Sequence, residues 1–305
     1  MNNPTKVPAG RFLSDPTLRA RVRELAASPY RAVPKILLDL AMWAGAAALG
    51  EASGKWWGVL LAALFIGAFP MHDLLVHGHD GTHRLISRRR RVNAFFTWLN
   101  HALFGLSGTA YGAFHLEHHR LTQTDLDPEV RLMRRLLGGR GWGYFLLPSV
   151  AHLAVNGYPF FAGRPAAERR GTVRDLLAAT LLHAGLVALL GPALYARAVL
   201  LPAAVGLAPV IALRSLCKHH GLGVGDPWTN TRAMETSPLV GFLWSNTQYH
   251  LEHHLFPRVP FHRMPALRAL LREEYARRNS DIRAGYLRTA LRLVREPLHV
   301  KGAGV

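Results

Sequence analysis

Residues 56–83 read WWGVLLAALFIGAFPMHDLLVHGHDGTH. The first about 21 of them, residues 56–76, form an apolar run that can cross a ~30 Å hydrocarbon core at ~1.5 Å per residue. The run leads directly into His79 and His83, whose four-residue spacing puts two imidazoles on one helix face. A membrane span that delivers paired histidines to its end sets the terms for the rest of the chain.

Three further apolar runs accompany it. Residues 36–50 carry Asp39 in their first turns, 176–196 are interrupted only by His183, and 198–213 are broken by Pro202 and Pro209. Prolines and glycines are tolerated in membrane helices more readily than in soluble ones. The four runs predict an all-α integral membrane protein with two hairpins, 36–76 and 176–213, turning at 51–55 and near 197. A fifth stretch, 142–162, is interrupted by Pro148, His152, Asn156 and Pro159 and reads as interfacial or re-entrant.

Charge sets the expected orientation. The 305 residues hold 37 Lys and Arg against 19 Asp and Glu, a formal net charge of +18 that would suit nucleic acid or a membrane surface. Only Lys55 and Arg197 fall at the expected turns; the rest flank the hairpins. Positive residues mark the cytoplasmic side, so both termini and the middle segment should be cytoplasmic, and nucleic acid drops out as a partner. The chain opens polar, with Asn2, Asn3 and Pro4, and shows no cleavable signal. Residues 15–28 predict a short interfacial helix capped by Asp15, with Leu18, Val22 and Leu25 along one face. Residues 265–295 predict a basic helix on the lipid headgroups, with Leu267, Leu270 and Leu271 as its apolar stripe. The expected organisation is an N-terminal segment 1–35, a membrane domain 36–275 and a basic tail 276–305.

A single cysteine, Cys217, excludes an intrachain disulfide, a Cys-based zinc site and a built-in iron–sulfur cluster. Histidine takes over as the metal-ligating residue type, with 17 in the chain. His115, His118 and His119 read HLEHH, and His250, His253 and His254 read HLEHH again. Two such patterns arise by chance with a probability of roughly 0.001 at this histidine frequency. On a helix each pattern is expected to aim three imidazoles at one point. With His79 and His83 they make eight, all beyond the cytoplasmic ends of spans. Eight imidazoles exceed the needs of one metal, so two metals are expected, and an all-nitrogen site with open positions suits oxygen activation by iron. No ExxH pair accompanies these clusters, unlike the carboxylate-rich di-iron bundles. Asp80, Asp125 and Asp127 are candidates to orient imidazoles through their second nitrogen. Glu117 and Glu252 should point away from the metal-facing side, and His72 and His77 should meet interfacial water.

HDGTH at 79–83, HLEHH at 115–119 with Asp127–Pro128 after it, and HLEHHLFPRVP at 250–260 together resemble the membrane fatty acid desaturase superfamily, which includes related hydroxylases and carotenoid ketolases. The resemblance covers about residues 36–275. It implies four spans with a cytosolic helical cap carrying the histidines, a centre of two Fe ions, and use of O2 to introduce a C=C bond into a lipid acyl chain. Metal ligands carry over to His79, His83, His115, His118, His119, His250, His253 and His254. A further ligand is expected after the fourth span, where Lys218 stands in place of a more usual acidic residue; His219 is favoured over His220. A hydroxylase or ketolase acting on a carotenoid, alkane or other lipid is the alternative.

The lipid or acyl substrate should enter from the bilayer, and electrons should come from an external donor of ferredoxin or cytochrome b5 type. No HPGG-type haem motif and no GxGxxG opening a strand–helix unit is present. Residues 88–91, Arg134, Arg135 and the arginine-rich tail offer a basic surface for an acidic donor, although the same arginines satisfy the positive-inside rule. A metal transporter would place its histidines inside the spans, and a zinc hydrolase would need fewer of them with an acidic base nearby. Richness in Ala, Leu, Arg and Gly suggests a GC-rich bacterium, hence an inner membrane.

Overall fold

The computed structural model describes residues 12–28 and 31–296; the ends of both terminal segments, with His299, lie outside the described residues. The chain is mostly helical. It opens with α1 (Pro16–Ala26), followed by α2 (Ala32–Ala52) and the long α3 (Trp56–Thr82). Then come α4 (Arg90–Ala102), α5 (Gly108–Leu121), α6 (Pro128–Leu137) and α7 (Leu147–Phe161). After α8 (Ala166–Leu190) and α9 (Pro192–His219) the helices are short: α10 (Pro238–Leu243), α11 (His250–Leu255), α12 (Met264–Leu270), α13 (Arg272–Arg278) and α14 (Tyr286–Leu293).

Among the described residues four helices, α2, α3, α8 and α9, are long and apolar enough to cross a membrane. Their outer faces leave Leu49, Trp57, Leu61, Leu177, Leu181 and Leu189 exposed, a pattern that suits lipid rather than water. At 15 residues, α7 is shorter than the ~20 a span needs.

The second pair of spans departs from the expected boundaries. α8 begins at Ala166 and stops before Gly191, which turns the chain with a φ of 74°. Glycine tolerates this backbone, and the following Pro192 disfavours helix at the residue before it. The turn is therefore here and not near 197. Hydropathy reads through the break because alanine and leucine continue on both sides. Arg197 lies inside α9 and grips Glu51, at the end of α2, through two 2.7 Å hydrogen bonds.

α3 and α9 each contain widened π-helical turns, Gly67–Met71 in α3 and Ala203–Leu207 in α9. The two turns touch backbone to backbone: a Cβ placed on Gly67 would lie 2.2 Å from the Pro202 carbonyl oxygen. Small residues that let helices approach this closely are the usual means of packing spans together. Polar groups are also buried here. Lys35 Nζ donates to Asp39 at 2.6 Å and also to Asp73, joining α2 to α3.

Outside the spans, Leu251, Leu255, Phe256, Leu267, Leu271 and Tyr275 form a core that Val22 of α1 enters, with Leu18 and Leu25 packed against it. Asp15 caps α1 as expected, accepting from Thr17 N at 2.7 Å. The apolar stripes of α1 and of the 265–295 segment thus pack on protein, correcting their reading as lipid-facing. The latter segment is also not one helix. It breaks into α12, α13 and α14, with a three-residue strand, Ile282–Ala284, that pairs in parallel with Ala233–Glu235. This two-stranded patch is a departure from an all-helical chain.

Candidate metal centre

α3 brings His79 into its last turn, and His83 caps its end. Two glycines in this stretch permit close packing against α4, since a Cβ on Gly81 would lie 2.1 Å from Thr97 Oγ1. α5 presents His115, His118 and His119, α9 ends on His219, and α11 consists of the HLEHHL segment itself. The α5 N-terminus is fastened from a distance: Asp175 Oδ2, in α8, accepts from Thr109 N at 2.9 Å and from the Ser107 and Thr109 hydroxyls at 3.0 and 2.7 Å. A carboxylate at a helix N-terminus also complements the helix dipole.

Nine imidazoles meet in two adjoining groups. His79, His83, His115, His119 and His253 form one, and His118, His219, His250 and His254 the other; within each group the nitrogens lie within 4.8 Å of one another. The expectation that each HLEHH aims at a single point fails, for a reason in helix geometry. Residue i+4 lies ~40° from residue i, whereas i+3 lies ~60° away on the other side. His115 and His119 therefore stay together while His118 crosses to the second group. His250 and His254 stay together in that second group, while His253 crosses to the first.

The spacing suits metal. Nε2 atoms approach to 2.9 Å for His79–His253 and His83–His115. They approach to 3.1 Å for His119–His253, His219–His250 and His250–His254. Two imidazole nitrogens ~2.1 Å from one metal at a right angle to each other stand ~3.0 Å apart. These side chains fit an ion in each group, and the donor set is all nitrogen.

Electrostatics agree. Burial pushes His83 down to about 3 and, with repulsion from neighbouring imidazoles, holds His115, His119, His250, His253 and His254 well below the ordinary histidine range. Neutral imidazole is the ligating form. At His118 burial acts downward too, but the Asp127 carboxylate outweighs it and the pKa is raised. Both Asp127 oxygens lie 3.0 Å from His118 Nδ1, turning Nε2 toward the group. Asp80 Oδ1 lies 3.1 Å from His79 Nδ1. Asp125 does not take this role; it pairs with Arg134 at 2.5 Å.

His219 Nδ1 donates to the Asn230 carbonyl at 3.1 Å, so its Nε2 faces the second group. His220 faces away and donates to Glu296 O at 2.8 Å. Glu117 pairs with Arg120 at the surface. Glu252 also points away from the metal-facing side, but inward: wholly buried, it accepts from Tyr275 at 2.9 Å and Arg268 at 3.1 Å. His72 and His77 are buried rather than wetted by the interface. His72 Nε2 accepts from Arg214 at 2.6 Å, and His77 Nε2 lies 3.2 Å from Ser245 Oγ.

A cavity of about 210 Å³ opens beside both groups, lined by His79, His115, His118, His250 and His253. Its other walls are apolar at Leu106, Phe114, Leu132, Leu147 and Val155 and polar at Arg214, Lys218 and Thr247.

Known proteins resemble this chain along most of its length. The fatty acid desaturase family matches residues 54–286. A rice protein named sphingolipid delta(4)-desaturase DES1-like is 26% identical over 265 residues, covering 84% of this chain and 76% of its own length. The Drosophila melanogaster sphingolipid delta(4)-desaturase DES1 is 25% identical, with coverage of 72% and 68%. The human sphingolipid delta(4)-desaturase/C4-monooxygenase DES2 is 28% identical over the same shares. These relatives are eukaryotic, and nothing in them supports the bacterial origin suggested by composition. The chain belongs to the fatty acid desaturase family and is a membrane-embedded oxidoreductase of lipids.

Proposed function

We propose that the chain is an O2-dependent di-iron desaturase that takes two hydrogens from a lipid acyl chain and leaves a carbon–carbon double bond. The observation that carries this reading is the division of nine imidazoles into two groups with the spacing of ligands on one ion. His79, His83, His115, His119 and His253 would hold one iron, and His118, His219, His250 and His254 the other. When bound, the irons supply the oxidising power that breaks an unactivated C–H bond. One O2, two electrons, two protons and the two substrate hydrogens leave as two waters.

The remaining work belongs to the protein. Asp127 and Asp80 hold His118 and His79 in orientation. Leu106, Phe114 and Val155 line the cavity and keep an acyl segment away from water. The electrons would arrive from a ferredoxin or cytochrome b5 type donor at the arginines of 88–91 and Arg134. In this reading α2–α3 and α8–α9 are the two hairpins, and the helices bearing the histidines form a cap on the cytoplasmic side, where the positive-inside pattern puts the basic residues.

The names of the relatives make a sphingolipid a candidate substrate. The human relative's name also joins desaturation to C4 mono-oxygenation, which favours hydroxylation as the second reading. Mass spectrometry of lipids from aerobic cells expressing the chain, with His118→Ala as control, separates them. Desaturation gives products two mass units lighter that the control lacks. Products sixteen units heavier establish the hydroxylase. An unchanged profile from the purified chain supplied with lipid, O2 and reduced donor overturns both.

A further inference from the structure

Two cations line the cavity without an ion-pair contact among the described residues. Arg214 and Lys218 sit one turn apart on α9 and both face the space beside the imidazoles. Arg214 donates to His72 Nε2 and to Thr247 Oγ1, each at 2.6 Å, and both partners are neutral acceptors. Its Nε is buried without an acceptor. Among the described residues neither Arg214 nor Lys218 forms an ion pair. The two carboxylates that also face the cavity are turned to imidazoles. Asp80 lies 3.1 Å from His79, and Glu129 lies 3.8 Å from His118. A half-buried guanidinium keeps its proton and has only donors to offer, and a partly dehydrated charge gains from an anionic partner. The rest of the lining is largely apolar, and among the described residues the charges that act on this pair, Glu129 on Lys218 and Asp73 on Arg214, do so without an ion-pair contact.

We propose that Arg214 and Lys218 form the head-binding end of the substrate cavity and take an anionic oxygen group, a carboxylate or a phosphate, carried by a single-chain lipid. The assignment rests on the lipid-oxidising reading of the same cavity. At about 210 Å³ the cavity is below the ~300–1,000 Å³ of sites that enclose a whole drug-sized ligand. It holds one end of a lipid, and the rest of the chain stays in the bilayer. Head and histidines share this small space, so the carbon presented to the metal groups lies close to the head and not deep in the tail. Arg214 supplies a guanidinium held in place by His72 and Thr247, and Lys218 supplies a second charge from the same helix face.

The test is a binding measurement without turnover. The full chain, purified with its metal and held without O2, is titrated with palmitate, hexadecyl phosphate and hexadecanol in competition with a fluorescent fatty acid. An anionic probe is expected to bind at least tenfold more tightly than hexadecanol, and whether palmitate or hexadecyl phosphate leads identifies the group. The preference should fall below threefold in Lys218→Met and in Arg214→Gln, and return in Lys218→Arg. Melting and size-exclusion profiles select variants that remain folded, and Lys218→Met alone suffices if Arg214→Gln does not fold. Equal binding of hexadecanol, or of a neutral dihydroceramide, overturns the assignment. So does a preference that survives in Lys218→Met, which would locate the anion on the outer arginines. Failure of the desaturase reading shows separately, as absent lipid oxidation in a chain that still discriminates the probes.

Discussion

Asp127→Asn isolates one of the two proposed iron sites. Both Asp127 oxygens face His118 Nδ1 at 3.0 Å, and each also accepts a backbone N–H at 2.9 Å, from Gln123 and from Glu129. Asparagine keeps the shape but brings a donor NH2 against one of those donors and removes the charge that makes His118 a stronger base. Loss of such a partner typically weakens metal binding by about 10–100-fold, or ~1.4–2.8 kcal/mol at ~1.4 kcal/mol per decade. The effect should fall on the group of His118, His219, His250 and His254 and spare the other five histidines. Iron retained per chain is counted after dialysis against chelators of graded strength. The wild-type chain should lose its two irons at similar chelator strength. The variant should lose one iron at 10–100-fold weaker chelation and keep the other. A variant that retains both irons at the wild-type midpoint, or loses both together, would refute the division into two groups.

Three further perturbations test the surrounding structure. The metal-free chain should lose stability as pH falls below about 6.5, because His83, held at about 3 by burial, and five other box histidines below the ordinary range take up fewer protons folded than unfolded. Each contributes up to ~1.4 kcal/mol per pH unit in that window; His118, shifted upward, and the buried Glu252 carboxyl, raised by burial, act in the opposite direction. A melting temperature at pH 5 equal to that at pH 7.5 would contradict this. Gly67→Val should destabilise the α3–α9 contact by about 3 kcal/mol, since its Cβ would lie 2.5 Å from Leu207 N. Gly45→Val, with nothing within 4 Å, is the control, and the two are compared by the monodisperse fraction in detergent. Arg268→Ala leaves Glu252 buried without its cation and should cost about 3 kcal/mol. If denaturation finds the variant as stable as wild type, the Arg268 pairing does not stabilise the buried Glu252.

The residues of the two imidazole groups were legible because their signal is chemical. Histidine at i, i+3 and i+4 is rare enough to stand out, and α9 ends where a ninth was expected, on His219. Their division was not read, although the 100° step per residue contains it. Span interiors were legible from hydropathy, whereas their ends depend on single residues. Gly191–Pro192 marks the break between α8 and α9, but the surrounding apolar run is longer than the dipeptide's effect on it. The partners of buried polar groups were the hardest to foresee. Asp175 reads as a boundary residue of a span, and its role at the α5 N-terminus depends on a contact 66 residues distant. The strand Ile282–Ala284 is too short to leave an alternating pattern, and it exists because Ala233–Glu235 lies beside it.

The Lys35 bridge bears on how the protein enters its membrane. An acidic or basic residue at the middle of a lone helix costs roughly 2.5–3.5 kcal/mol on insertion scales. α2 brings its own neutral pair, Lys35 with Asp39, but α3 by itself carries Asp73 into lipid with no counter-ion. α2 is synthesised first, and only residues 53–55 separate it from α3. The ammonium is therefore already at hand when Asp73 emerges. On the proposed hairpin reading, the two helices would be released sideways into the bilayer as one unit, with the charge closed between them. A chain cut between α2 and α3 would leave α3 to partition alone, and its share of correctly inserted protein would report the strength of that bridge during biosynthesis.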